Sequence, residues 1–324
     1  FLYSSCDQGA MAKKEESHGY YWFIKSVGAT ISALITAAIF ITVLLFIIAL
    51  FIPAEELSTG NVAVIPIKGE ITTSGDGKVW QEGSTPSQTI IDWLKEADED
   101  PGTKAILLEI DSPGGSPVAT DEIARAVKET NKTVIAVIRE AGASGAFWIA
   151  TAADYVFANR MSETGSIGVI GSHLEFAGLL KDYNITYRRL VAGQYKDAGS
   201  RWKEMTPEEL QLYQQLLDEF HETFIEEVAN NRKLPVESVR QLAHGFVFSG
   251  RQAKELGLVD AIGSKGDAVK HIEQQLNITA KLYEFKAQKT FFEEALGVSS
   301  YNAGKGIGAA LLHASARNDL KITT

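Results

Sequence analysis

Cysteine is nearly absent from this sequence, since Cys6 is the only one among 324 residues. An intrachain disulfide framework is therefore excluded, and the fold has to depend on a hydrophobic core. Positive charge is outnumbered, since 31 lysines and arginines stand against 41 aspartates and glutamates and the formal net charge is -10 at pH 7. Phosphate binding requires a basic face, so we predict no nucleic-acid partner. The glycine-rich GKGIG at 304–308 follows no predicted strand, so we do not interpret it as a phosphate loop. We also predict no metal and no cofactor.

Charged side chains are also missing from residues 26–54, whose apolar centre runs from Ile31 to Pro53. About 20 apolar residues cross a bilayer, so this run predicts an N-terminal transmembrane helix. Lys25 precedes the run and Glu55 follows it, and the positive-inside bias then predicts a cytoplasmic N-terminus and an extracytoplasmic remainder. A cleaved signal peptide and a buried core helix are the alternatives. A signal peptide has a shorter apolar region that ends in small residues.

Short apolar runs alternate with helical patterns in the middle of the chain. KAILLEI, TVIAVI and DYVFAN read as strands, and ATDEIARAVKET and AFWIATAA read as helices. Such alternation predicts an α/β fold with a parallel sheet flanked by helices. Ligands bind beyond the carboxyl ends of the strands in such sheets. DSPGG and GASG follow two of these strands, so we predict one site built from two loops.

Elements outside this repeat are also indicated by local patterns. NVAVIPIKGEI predicts a strand, and Pro66 suggests that this strand lies near an edge or ends there. SQTIIDWLKEADED has helical spacing. A long helix is predicted after Thr206, because Thr206 as N-cap, Pro207 at N1 and Glu209 at N3 form a capping box.

Ser144 lies among glycines and alanines at the predicted start of a helix. Small neighbours let a substrate approach closely, which suits a nucleophile for acyl transfer. Gly114 and Gly145 offer backbone N–H groups on adjacent loops, as an oxyanion hole requires. The same residues also fit a structural interpretation, in which Ser144 is a helix N-cap and the glycines form turns.

A nucleophilic serine requires a base, and no histidine lies near Ser144 in the sequence. His173, in GVIGSHLEF, is one candidate. Lys196, in AGQYKDAGSRWKEMT, is the other, because burial disfavours the charged ammonium form of a lysine. Taken alone, each residue also fits an ordinary surface position, and the spacing leaves the choice of base open.

Seven motifs together resemble the bacterial signal peptide peptidases of the SppA type, which are membrane-anchored serine proteases with a Ser/Lys dyad. The resemblance covers roughly Asn61 to Ile262 and the anchor. The motifs are GEI, DSPGGS, ASGAFWIATAAD, TGSIGVIG, YKDAGS, KEMTPEE and GLVDAIG.

The resemblance implies a role for each matching residue. Ser144 corresponds to the nucleophile and Lys196 to the general base. Ser166 corresponds to a serine that orients this lysine. Gly114 and the amide of Gly145 correspond to the oxyanion donors.

The resemblance also implies a crotonase-like fold shared with the Clp protease subunit, and a homo-oligomeric ring. The implied substrates are released signal peptides and other hydrophobic or unfolded peptides, and the implied location is the bacterial cell membrane. Phe147 and Trp148 replace the family's tyrosines, which we expect to change packing only. The rival interpretations are a sister protease that cuts a membrane-protein tail, a crotonase-fold acyl-CoA enzyme and an inactive scaffold.

These inferences divide the chain into four parts. We predict a cytoplasmic segment at 1–25, an anchor at 26–54, a catalytic protease domain at 55–290 and a C-terminal segment at 291–324. Residues 1–10 precede Met11, and we interpret them as a leader or an added remnant.

Asp197 is an awkward neighbour for a lysine base. A carboxylate next to Lys196 favours the charged amine, which cannot accept a proton. We therefore expect Asp197 to point away from Lys196 and to pair with Arg201 or Lys203.

Overall fold

The computed structural model describes residues 60–73 and 84–286, together with helical residues between 25 and 44. The chain divides into two compact units. One unit is Ser58–Lys286, and the other combines Phe1–Leu57 with Ala287–Thr324.

In the predicted anchor 26–54, the described residues 27, 30–32 and 34–44 are helical. Within the part of the chain that the structure describes, no helix is both long enough and apolar enough to cross a membrane. Residues 45–54 and the predicted C-terminal segment 291–324 lie outside the described residues.

The unit Ser58–Lys286 is built on one sheet. Its strands are β1 (Val62–Thr72), β2 (Ser84–Pro86), β3 (Ala105–Gly115), β4 (Thr133–Ala143), β5 (Tyr155–Ala158), β6 (Glu163–Gly165), β7 (Val247–Ser249), β8 (Ala261–Ile262) and β9 (Leu282–Glu284). The main path is β2-β1-β3-β4-β5-β8, with β6 paired to β4 and β9 paired to β1. All these pairs are parallel, and β7 pairs with β6 in the antiparallel sense.

Helices cover both faces of this sheet, as predicted. They are α1 (Ser87–Glu99), α2 (Pro117–Glu129), α3 (Gly145–Thr151), α4 (Ala177–Asp182), α5 (Pro207–Arg232), α6 (Val236–Leu242), α7 (Gly250–Glu255) and α8 (Lys265–Leu276). Alternate residues of each strand point to opposite faces. Ala63 and Ile65 therefore join the larger core with α1, α2, α3 and α5, whereas Val62 and Val64 join a smaller core under α8.

Two strands extend further than the sequence pattern predicts. DSPGG and REAGA look like loops, yet β3 continues to Gly115 and β4 continues to Ala143. The extension arises because neighbouring strands pair with these residues: Glu70 of β1 pairs with Gly114, and β6 pairs with the end of β4. The predicted site loops are therefore hydrogen-bonded strand ends with register shifts.

Pro66 does not end its strand, because β1 continues to Thr72. The expected edge character is nevertheless present locally. β9 pairs with β1 at residues 62–64 and β2 pairs with it at residues 70–72, so Pro66 lies between them. At Pro66, β3 is the only described strand that pairs with β1, so the other edge of β1 is unpaired there. The N–H that proline lacks therefore costs little hydrogen bonding at this position.

The predicted capping box is confirmed. Glu209 N donates to Thr206 Oγ1 at 3.2 Å, and Thr206 N donates to Glu209 Oε2 at 2.9 Å. This reciprocal pair begins α5, the longest helix of the unit described, and fixes its entry from the preceding segment.

Candidate active site

Three of the predicted site residues lie in one row across adjacent strand ends. The register pairs Ser112 with Gly142 and Ala143 with Gly165. Ser144 and Ser166 follow the paired residues directly, and the N–H of Ser144 donates to the carbonyl of Gly165 at 2.9 Å. Because parallel neighbours lie about 4.8 Å apart, the row brings Gly114, Ser144 and Ser166 together.

Ser144 has a backbone conformation that non-glycine residues rarely adopt. Its φ is 53° and its ψ is -128°, between the end of β4 and the start of α3. Such a sharp strand-to-helix turn lifts a serine hydroxyl out of the sheet, and the strain is characteristic of nucleophile positions. Ser144 makes no side-chain capping bond to α3, so the plain N-cap interpretation does not account for it.

Gly114 approaches Ser144 so closely that no side chain fits at its position. A methyl group placed on Gly114 would lie 2.9 Å from Ser144 Cβ and 2.8 Å from the nitrogen of Gly145. The φ of Gly114 is +101°, which also favours glycine. The backbone of β3 therefore forms a wall beside the serine and the first amide of α3.

The two candidate oxyanion donors are not equivalent. Among the described residues, no acceptor is present for the N–H of Gly145, as is usual in the first turn of a helix. The N–H of Gly114 instead donates to Ser112 Oγ at 3.1 Å, and Ser112 Oγ donates to the carbonyl of Gly69 at 2.6 Å. Gly145 is thus free to bind an oxyanion, whereas Gly114 has to share its hydrogen or release Ser112.

Thr120 is a contact of this site that the sequence did not indicate. A methyl group on Gly145 would lie 2.2 Å from Thr120 Oγ1, so α2 packs directly against the start of α3. The hydroxyl is buried, and it has no hydrogen-bond partner among the described residues. No local pattern could reveal this contact, because it joins two helices that pack only in the folded chain.

Ser166 also has a positive φ of 53°, and its hydroxyl has a partner other than the lysine. Ser166 Oγ donates to the carbonyl of Gly245 at 2.9 Å, and its N–H donates to the carbonyl of Phe246 at 3.2 Å. The turn between α6 and β7 is therefore part of the site, which the sequence analysis did not predict.

Lys196 lies on an exposed turn, apart from this row of hydrogen bonds. Its N–H donates to the carbonyl of Gly193 at 3.1 Å, and its side chain is exposed. The structure gives the side chain no hydrogen bond to Ser144, to Ser166 or to any other described residue. The burial that favours a neutral lysine is thus not supplied by the described part of the single chain.

The expected partner of Asp197 is wrong. Arg189, and neither Arg201 nor Lys203, pairs with it: Nε reaches Oδ2 at 2.6 Å and Nη2 reaches Oδ1 at 2.8 Å. The Arg189 guanidinium lowers the pKa of Asp197 below its usual value. Lys203 is occupied instead by Glu209, at 2.7 and 2.6 Å from its two carboxylate oxygens.

Among the described residues, no histidine side chain bonds to Ser144, Ser166 or Lys196. His244 does lie in the turn that holds Ser166, where its Nδ1 accepts from the N–H of Phe246 at 3.2 Å. His173 is exposed on the segment that follows β6. His221, on α5, lies 3.3 Å from the carbonyl of Ile167 through Nε2, a backbone contact. Among the residues described, no group of three or more histidine, cysteine, aspartate or glutamate side chains could hold a metal ion.

Comparison with known proteins identifies the family. Residues 126–279 match Peptidase family S49. A Methanocaldococcus jannaschii protein described as a protease is 34% identical over 243 residues, covering 73% of this chain and 77% of the relative. A protein of Enterococcus faecium described as signal peptide peptidase SppA is 31% identical over 242 residues, covering 74% and 70%. Protease 4 of Salmonella typhi is 33% identical over 213 residues, covering 65% and 34%.

These matches define the chain as a serine endopeptidase. More particularly, the chain belongs to peptidase family S49 and is an SppA-like member of it.

Proposed function

We propose that this protein is a membrane-anchored serine endopeptidase that uses a Ser144–Lys196 dyad to degrade released signal peptides and other hydrophobic or unfolded peptides. The observation that carries the proposal is the strained turn at Ser144, with the unpaired N–H of Gly145 directly after it. A buried strand fixes this turn on one side and a fully buried helix fixes it on the other.

In this mechanism, the neutral Lys196 amine removes the proton from Ser144 Oγ as the oxygen attacks the scissile carbonyl. The N–H of Gly145, joined by that of Gly114, binds the oxyanion. The lysine then gives the proton to the leaving amine, and a water molecule hydrolyses the acyl-enzyme by the reverse sequence.

The exposure of Lys196 supports a homo-oligomeric ring as the working form. The apolar side chains most exposed in the segment after β6 are Ile170 and Leu190, at 88% and 96%. A neighbouring subunit or a bound hydrophobic peptide would cover such side chains, and would also remove water from the lysine.

The dyad is tested by replacing Ser144 and Lys196 separately with alanine and measuring peptide cleavage. We expect comparable, near-total losses, because residues that act as a unit are not additive. His173→Ala is the matched control and should keep full activity. Cleavage that survives in Lys196→Ala but disappears in His173→Ala would assign the base to histidine instead.

The substrate is tested by mass spectrometry of peptides that accumulate in cells carrying the Ser144→Ala variant. Accumulated signal peptides support the proposal, whereas a single membrane-protein tail would indicate a sister protease. An acyl-CoA activity that survives in Ser144→Ala would indicate a crotonase-type enzyme.

The anchor is the remaining part of the proposal, and it places the protein in the bacterial cell membrane with its N-terminus inside. The uncharged stretch 26–54 supports it. Alkaline carbonate extraction should leave the full chain in the membrane pellet, and release into the supernatant would refute the anchor.

A further inference from the structure

The turn that carries Lys196 is clamped by one guanidinium. Arg189 binds both carboxylate oxygens of Asp197, and its Nη2 also donates to the carbonyl of Gln194 at 3.1 Å. Gln194 and Asp197 stand on either side of Lys196 in the sequence. Arg189 therefore joins the two ends of the turn, and a planar fork can do so where a single ammonium cannot.

Helix α5 holds the same turn from the other side. Tyr213 donates its hydroxyl to the carbonyl of Ala198 at 3.1 Å. A methyl group on Gly199 would lie 2.8 Å from the Tyr213 oxygen, so the contact leaves no space. The turn is thus fixed at both edges, although the Lys196 side chain between them is exposed.

Among the described cations near the turn, Arg189 is the one that forms an ion pair with Asp197. Lys203 lies near enough to influence Asp197, but its ammonium is bound by Glu209 of α5. Asp197 is the main group that raises the pKa of Arg189, and Glu209 adds a smaller contribution. The Asp197 side chain is only 12% exposed with Arg189 in place, so the guanidinium is the main group that screens its negative charge.

We propose that Arg189 is a positioning residue for the base, because it neutralises Asp197 and holds the Lys196 turn in one conformation. The inference rests on the proposed function, in which Lys196 accepts the Ser144 proton. An unpaired carboxylate beside Lys196 favours the ammonium form, which is inactive as a base. By pairing with Asp197, Arg189 removes this preference for the ammonium form, and in this proposal it does so without contacting the substrate or the reacting atoms.

The test is the pH profile of kcat/KM for peptide cleavage by the full-length protein, in which the ascending limb reports the ionisation of the base. Arg189→Gln should move this limb to higher pH by about 0.5 to 1 unit. At pH values below the pKa of the base, kcat/KM should therefore fall by roughly threefold to tenfold. Asp197→Asn should move it to lower pH, because the cation is then unopposed. The double variant should return it close to the position of the unmodified protein.

Arg189→Lys separates charge from geometry. It keeps the positive charge, so the limb should stay near its original position, while kcat falls because the bridge to Gln194 is lost. Arg240→Gln is the matched control, since Arg240 forms a two-pronged pair with Glu222 and has no described bond to the Lys196 turn. Its pH profile should be unchanged, and thermal melts should show that all variants remain folded.

The outcomes distinguish this inference from the proposed function. If Lys196→Ala is inactive but the limb stays fixed in Arg189→Gln and Asp197→Asn, the positioning role is wrong and the dyad stands. If Lys196→Ala retains activity, the dyad itself fails.

Discussion

At the residue scale, glycines decide which parts of the backbone can meet at Ser144. The sequence allowed Gly114 and Ser144 to be singled out, because small residues cluster in DSPGG and GASG. It could not show the hydrogen bond from Gly114 to Ser112 Oγ, nor the contact between Thr120 and Gly145. Both depend on how strands and helices pack, which no local pattern encodes.

Gly114→Ala tests the wall beside Ser144, the proposed nucleophile. We expect kcat to fall by about 10²- to 10³-fold, because the added methyl group would press on Ser144 Cβ and on the Gly145 amide. Gly178→Ala is the control, since a methyl group there meets nothing within 4 Å. Steady-state kinetics and circular dichroism melts would check both variants. Full activity in Gly114→Ala would show that this close approach is not required.

At the scale of elements, local signals predicted the helices α1, α2, α3 and α5, but they predicted the strand ends poorly. The capping box of α5 is visible in the sequence because Thr206 and Glu209 satisfy each other within four residues. The ends of β3 and β4 are not visible, because residues rich in glycine are held in the sheet by strands distant in sequence. The partner of Asp197 was missed for the same reason: Arg189 lies on a preceding stretch that folds back onto the turn.

Glu209→Gln tests the start of α5 through its pH dependence. The ammonium of Lys203, and then the N–H of Thr206, lower the pKa of Glu209 below the ordinary value of 4.5. A lowered carboxyl pKa stabilises the fold above the unfolded value, and this contribution is lost as pH falls through the folded value. The variant should therefore be less stable than the unmodified protein above about pH 4.5.

Urea unfolding at a series of pH values measures this difference. The free energies of unfolding should converge as the pH falls through the lowered pKa of Glu209. Glu208→Gln is the control, because Glu208 occupies the same helical turn but is exposed. A stability difference that is constant across the series would contradict this account.

At the scale of the whole molecule, alternating apolar runs were sufficient to predict the parallel sheet and its flanking helices. They were not sufficient to predict the surface of the segment between β6 and α5, where apolar side chains such as Leu190 are exposed. A sequence pattern shows which residues are apolar, but only a structure shows which of them the chain fails to cover. The proposed ring would cover them.

Leu190→Asp tests that surface. If Leu190 packs against a neighbouring subunit, a buried unpaired carboxylate would be costly there, and the oligomer should dissociate to smaller species. Light scattering coupled to size-exclusion chromatography measures the mass. Met161→Asp, at a residue that is 77% exposed outside this segment, is the control and should leave the mass unchanged. An unchanged mass for Leu190→Asp would remove Leu190 from the interface.

The bond from Ser166 to Gly245 has a consequence for the direction of proton transfer. A hydroxyl has one hydrogen and two lone pairs, and here the hydrogen is committed to a carbonyl. An amine that reaches Ser166 Oγ must therefore approach as a donor. In the proposed dyad, a neutral Lys196 that gives one N–H to Ser166 keeps its own lone pair unused, and that lone pair can accept the proton of Ser144.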